Sequence, residues 1–253
     1  MTNQQTEDIE AKFEKRMSVL DKTLRAAKVH FYLAEKIESF PVDHLAEWNV
    51  APAFWSYTIR AHLHAGILAI AKLLDNRRGS LSLPHFLQFV DSNPQLFSRE
   101  SLVRRLKKKR PHDSVMDIER WLQDYQGVPD HKAQIEKVEN VEKKLPNLSN
   151  WRDKVVAHID KAFINKGQPV GQLYRLPKSE VNSAIDTLEE VLQCYYHAYD
   201  MTDRDFSMAF VGNGLERVIE ALGKWRSAKV WLEAIPKGIC SPRNSLRGIN
   251  APE

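Results

Sequence analysis

Cysteine is nearly absent, with two in 253 residues. Two thiols cannot build a disulfide framework or a structural zinc site, and they fit a reducing cytosol. Glycine is also scarce, at 10. An all-β or α/β chain needs glycine at many tight turns, so this count argues for helices. With only 12 prolines as well, collagen-like and low-complexity classes are excluded. No apolar run approaches the ~20 residues of a membrane span. The one worth noting, AGILAIA at Ala65 to Ala71, is far shorter. The segment MTNQQTEDIEAKFEKR is polar and charged, the opposite of a signal peptide. The expectation is a cytoplasmic chain that needs no membrane. Neither charge sign dominates, since 37 Lys+Arg against 33 Asp+Glu leave +4. That permits contact with nucleic acid without demanding it. No internal repeat occurs, and there is no GxSxG elbow, P-loop or HExxH.

What is present is apolar material, 43% of residues, enough for a real core. Ile9, Phe13, Met17, Leu20, Leu24, Ala27 and Phe31 recur in steps of three and four. This one-faced stripe predicts an amphipathic helix from Glu7 to about Phe40, closed by Pro41. Ala53 to Asp75 reads as a second helix, apolar nearly all round and therefore central. Its Ala61, Ala65 and Gly66 leave room for a close neighbour. Shorter helices follow at Leu83–Val90, Arg99–Lys109 and Met116–Tyr125, the first two split at Pro94. His131 to Lys144 is charged and reads as an exposed helix. Leu148 to about Ile164 continues as helix, and 166–175 is a loop. Val181, Ala184, Ile185, Leu188, Val191, Leu192, Tyr195 and Tyr199 give the cleanest helical pattern. A last helix is expected from Leu215 to Leu232, with Asn213 as N-cap and Glu216 completing a capping box. GNGLER at Gly212 lacks a preceding strand, so it is a helix start rather than a phosphate loop. No segment shows the period-two alternation of strands. The sum is an all-α bundle, one domain over 1–235 with a loose tail over 236–253.

Four clusters could carry chemistry. Asp200, Asp203 and Asp205 have oxygen-ligand spacing, but capping and turn chemistry explains them better. His62 and His64 lie two apart on a helix and face different ways. Arg104, Arg105, Lys107, Lys108, Lys109 and Arg110 put six basic residues into seven positions. Such a run can bind RNA phosphates through counterion release, or be a solvated helix face. Last, WRDKVVAHID at Trp151 to Asp160 combines Arg152, Asp153, Lys154 and His158. Histidine can move a proton near neutral pH, and arginine can clamp a phosphate and stabilise developing charge. Together they suffice for cleavage of RNA in which the 2′-hydroxyl attacks the adjacent phosphate.

The spacing of arginine, four to six residues, then histidine occurs four times: Arg25–His30, Arg78–His85, Arg105–His112 and Arg152–His158. Only Arg152 is followed by a polar residue, Asp153. The stretch RDKVVAHID resembles the motif of the HEPN superfamily, and in particular its AbiU-type abortive-infection branch. AKLLDNRRGSLSLPHFL at Ala71 to Leu87 is similar to that branch too. The resemblance implies a HEPN-like up-and-down helical bundle of four to five long helices with inserted short helices. It implies a metal-independent endoribonuclease of phage defence or toxin–antitoxin systems, with no cofactor and no catalytic metal. RNA is the implied partner, with a second copy of the chain and an inhibitory protein. By this resemblance His158 is general base or acid, Arg152 holds the scissile phosphate, and Asp153 orients Arg152. Lys154 and Asp160 are accessory. Members that are AMPylated carry tyrosine where this chain has Asp160. On an ideal α-helix Arg152 and His158 are separated by about 240° and ~9 Å of rise. A two-fold interface, at which each copy supplies part of one cleft, would relieve that separation. The alternative is a non-catalytic helical module that binds RNA or protein. A DNA-binding helix-turn-helix between Leu83 and Tyr125 fits poorly with the Pro94 break.

Overall fold

Residues 3–125, 127–156, 176–206 and 214–225 are described in a computed structural model. Among them every regular element is helical. These are α1 (Asn3–Asp43), α2 (Leu45–Trp48), α3 (Pro52–Leu73), α4 (Leu83–Asp91), α5 (Arg99–Lys109), α6 (Val115–Trp121), α7 (His131–Lys144), α8 (Leu148–Asn150) and α9 (Lys178–Asp200). Short 3-10 turns lie at Pro94–Phe97 and Leu122–Asp124, and a π-helical stretch covers Trp151–Val156. A further helix, α10, spans 214–225.

Three helices make the frame. On α1 the stripe from Phe13 through Met17, Leu20 and Leu24 to Ala27 is 0–2% exposed. Phe40 meets Trp55, Phe31 meets Gly66 and His30 meets His62, so α3 runs antiparallel to α1. A methyl group at Gly66 would lie 2.7 Å from the Phe31 ring, so the absent side chain sets how closely the helices approach. Against the other side of α1 runs α9, also antiparallel. Tyr199 stacks on Phe13 at 4.3 Å, Lys28 pairs with Glu189, and Lys178 reaches Glu35 at 3.0 Å. All eight residues of the α9 pattern are buried. Phe13, Phe86, Phe97, Tyr195 and Tyr199 form one aromatic nucleus with stacked, tilted and edge-on pairs. Such arrangements suit the ring quadrupoles.

Four expectations need correction. Pro41 does not close α1, which continues to Asp43. A proline removes one N–H but tolerates helical φ. The His44 N–H restores the ladder on the Phe40 carbonyl at 2.8 Å. The central burial expected for α3 holds only for Trp55 and for Gly66, Ile67, Ala69, Ile70, Ala71 and Leu73, while Phe54, Tyr57 and Leu63 are exposed and Ala61 faces solvent. Helix α7 is only half exposed, because Gln134, Val138 and Val141 are buried between α4 and α9. Finally, the helix expected from Leu148 is α8 followed by the π stretch as far as Val156. Its remainder to Ile164, the loop at 166–175, the Asn213 cap, the end of α10 beyond 225 and the 236–253 tail lie outside the described residues.

The α1–α3 seam carries a pH prediction. His30 Nδ1 lies 2.9 Å from His62 Nδ1, so one ring must donate and the other accept. Burial lowers the pKa of both, and the His30 charge lowers that of His62 further. The unfolded chain therefore takes up more protons than the folded one as pH falls below the ordinary histidine value of about 6.5. The stabilisation is complete above that value and is lost as pH drops through it. Urea midpoints at pH 7.5 and 5.0 should fall for the wild type. They should fall less for His62→Gln, which keeps a polar partner without the second proton. Identical pH dependence of the two proteins would sink this reading.

Candidate functional site

The site is built where α3 stops. Leu74 N–H still bonds to the Ile70 carbonyl, and then the chain turns. Ser80 N–H closes that turn on the Arg77 carbonyl at 3.1 Å. Gly79 sits inside it with φ of 87°, a conformation that strains any residue with a β-carbon. The Ser80 hydroxyl lies 2.6 Å from the Asp75 carbonyl and 3.1 Å from His85 Nδ1. Ser82 Oγ is also 3.1 Å from that nitrogen. These contacts hold the loop from 75 to 85 in one shape.

Asp75 is the centre of the arrangement. Arg77 donates to it from Nε at 3.0 Å and from Nη2 at 3.0 Å, and the Arg77 backbone N–H adds a bond at 3.2 Å. Arg152 Nη1 reaches the same Oδ1 at 3.4 Å. The hydrogen bond from Arg77 is the main reason the Asp75 carboxyl stays below the usual range, and burial opposes it. Arg152 also donates to its neighbour, from Nε to Asp153 Oδ1 at 2.6 Å and from Nη2 to Oδ2 at 2.9 Å. Two guanidiniums and two carboxylates thus form one balanced chain.

The π stretch explains how Arg152 gets there. A π-helical turn widens the helix, and such turns recur at functional sites. Trp151 N–H bonds to the Asn147 carbonyl, and the Trp151 ring packs against His64 of α3 at 5.7 Å. With Trp151 anchored on α3, the next residue faces the end of that helix, where Asp75 lies. His64 therefore serves one face of α3 and His62 the other, as their two-residue spacing requires. The ideal-helix rotation between Arg152 and His158 does not apply, because the segment up to Val156 is not α-helical.

The motif is only partly described. Arg152 is half-buried and Asp153 exposed. The Lys154 side chain, His158 and Asp160 lie outside the described residues. Asp75 and Arg77 were missed by motif reading. The signal that could have found them is the second family-like stretch, Ala71 to Leu87, which contains both.

The basic run needs a correction. Arg105 is buried at 4% exposure and belongs to the core, not to a phosphate-binding face. Its Nε donates to the Tyr199 carbonyl at 2.9 Å, its Nη1 to Glu10 at 2.9 Å, and its guanidinium lies 4.0 Å over the Tyr199 ring. Arg104 is also tied to Glu10, at 2.6 Å, and Lys109 to buried Asp200, at 2.5 Å. Lys107 and Lys108 are exposed and Arg110 is half-buried. The run is therefore divided by ion pairs rather than presented as one surface. The aspartates of the 200–205 loop do not converge. Asp200 accepts from Lys109 and Thr202, and Asp203 from Gln193. Among the described residues no three His, Cys, Asp or Glu side chains could hold a metal ion.

The AbiU2 model of the HEPN group matches residues 10–216. The chain belongs to the HEPN AbiU2 family. No curated protein and no solved structure matched it. The AbiU2 match spans Asp75, Arg77 and the whole stretch from Trp151 to Asp160. It runs from the first turns of α1 to the start of α10, so the all-α frame described above is the HEPN-like helical fold. Among the described residues no helix of this AbiU2 protein is long and apolar enough to cross a membrane.

Proposed function

We propose that this AbiU2-family chain is a metal-independent endoribonuclease that acts as a homodimer on RNA, in phage defence or a toxin–antitoxin setting. The observation that carries the reading is the placement of the motif arginine. Arg152 is held between Asp153 and Asp75, so the two family-like stretches meet at one point. Its longest bond, from Nη1 to Asp75 at 3.4 Å, is the one most readily exchanged for a phosphate oxygen. In the proposed step His158 takes the proton of a ribose 2′-hydroxyl. The oxygen attacks the adjacent phosphorus, and the bond to the 5′-oxygen breaks. The departing oxygen takes a proton from a histidine acting as acid. The products are a 2′,3′-cyclic phosphate and a 5′-hydroxyl, so atoms and charge balance. Asp153 orients Arg152, with Lys154 and Asp160 accessory. A restraining partner protein in the cytoplasm would keep such an activity in check.

The test is cleavage of single-stranded RNA by the purified chain in EDTA. Expected are fragments with cyclic phosphate ends. Strict dependence on magnesium would overturn the reading. The second reading is a non-catalytic module, in which the Arg152 fork on its two carboxylates is a structural contact and RNA is bound elsewhere. Binding that weakens steeply with salt, without any cleavage, would select that module.

A further inference from the structure

The motif arginine is not the most available cation at the site. Arg152 uses all three of its nitrogens on carboxylates, and its side chain is 21% exposed. Arg77 bonds to Asp75 through Nε and Nη2, and its side chain is 68% exposed. Both guanidiniums contact Asp75 Oδ1, Arg77 at 3.0 Å and Arg152 at 3.4 Å. Their donor nitrogens are therefore at most about 6.4 Å apart, a gap that the oxygens of one phosphodiester can bridge. Two like charges at this range repel, and the Arg152 charge acts against that of Arg77. The Asp75 carboxylate between them offsets the repulsion and sets their spacing. The turn that carries Arg77 is fixed independently of Arg152, by Gly79 and by the Ser80 contacts to Asp75, Arg77 and His85. A surface arginine held only by chance would not need such support.

We infer that Arg77 is a second phosphate-binding residue, paired with Arg152 across Asp75, and that Asp75 is the positioning residue that holds the two guanidiniums at phosphate spacing. The inference deepens the ribonuclease reading, because it names a further contact to the RNA backbone at the same site. It also stands for a chain that binds RNA without cutting it. Arg77 supplies the exposed, exchangeable fork and Arg152 the more buried one. Recognition of phosphate is independent of sequence, so the pair fixes the position of the backbone and leaves base preference to other residues.

Two measurements test it together. Binding is read with a fluorescent single-stranded oligonucleotide carrying 2′-O-methyl at every position, which cannot be cleaved through the 2′-oxygen. Cleavage is read with unmodified RNA of the same sequence. Arg77→Ala should weaken binding about tenfold. It should also reduce the slope of log K against log salt by about 0.7, the value for one phosphate contact on a single strand. Arg77→Lys should restore the slope but not the full affinity, because an ammonium lacks the fork. Asp75→Asn should raise KM as Arg77→Ala does and should also lower kcat, since it frees Arg152 as well. Arg78→Ala, at the exposed neighbour, is the control and should bind like the wild type. Equal losses in Arg78→Ala and Arg77→Ala would overturn the inference in favour of general surface charge. A wild-type enzyme that cuts RNA, with Arg77→Ala unchanged in binding and cleavage, would overturn it while leaving the ribonuclease reading intact. Binding without cleavage, lost in Arg77→Ala, would keep the inference and remove the ribonuclease. A wild type that neither binds nor cuts would remove both.

Discussion

Alanine at His158 is expected to lower cleavage of single-stranded RNA by about 10²–10⁴-fold, the range that a positioned acid or base contributes. Neither Arg152 nor Lys154 can replace it. Arginine stays protonated at any accessible pH, and a lysine as base would need its pKa pulled far down. The activity of the wild type should therefore follow an ionisation in the histidine range, and the variant should lose that feature of its pH profile. The urea midpoint and helical circular dichroism should hold, separating lost chemistry from lost fold. Cleavage by His158→Ala at the wild-type rate would remove His158 from the mechanism, whatever its neighbours do. Arg152→Ala provides the companion result. It should raise KM and lower kcat together, because it removes both phosphate binding and charge stabilisation.

The second large effect concerns stability. Arg105→Ala is expected to cost about 3–5 kcal/mol, the range for breaking a buried ion pair from one side. At roughly 2–4 °C per kcal/mol for a chain of this size, the thermal midpoint should fall by on the order of 10 °C. The loss has three parts. The Tyr199 carbonyl at the end of α9 loses its donor. Among the described residues Glu10 retains only Arg104. The Tyr199 ring loses the cation on its face. Arg105 also has one buried nitrogen, Nη2, with no hydrogen-bond partner among the described residues. Arg105→Lys should not rescue, since a single ammonium cannot serve both Glu10 and the carbonyl. A drop of less than about 1 kcal/mol in urea unfolding would show that the guanidinium is not structural. Unchanged stability with weakened RNA binding would return Arg105 to the surface.

The long helices were legible because their apolar residues repeat at the helical period. The stripes of α1 and α9 were read residue by residue; the α9 stripe is buried throughout and the α1 stripe from Phe13 to Ala27, with Ile9 and Phe31 partly covered at its ends. Periodicity, though, reports which side of a helix is apolar and not where a partner ends. That is why the first half of α3 was expected to be covered all round, when α1 covers only the side that carries Trp55 and His62. The basic run misled for a related reason. Six charges in seven positions suggest solvent on all sides, yet a helix must turn some of them inward, and Arg105 falls on the same face as Leu102 and Leu106. At the candidate site, Arg152 and Asp153 were legible as a motif. The link of Asp75 and Arg77 to them was not, because the ion pair from Asp75 to Arg152 spans 77 positions and leaves no local signature. Pro41 shows the remaining weakness of local rules. A missing N–H in the last turn of a helix as long as α1 is tolerated, since the next turn closes without it.

The pairing of Tyr199 with the first turns of α1 sets an order in time. Glu14 and Tyr199 are 185 positions apart. At roughly 5–20 residues per second, a ribosome delivers the second about 10–40 s after the first. For that interval Phe13, Met17 and Leu20 have no α9 to lie against. A chain interrupted before Lys178 would carry Arg152 and His158 but not the helix that completes its core. Synthesis through Asp200 is thus a condition for the closed core, and chains that stop before Lys178 would display an apolar stripe to chaperones and proteases.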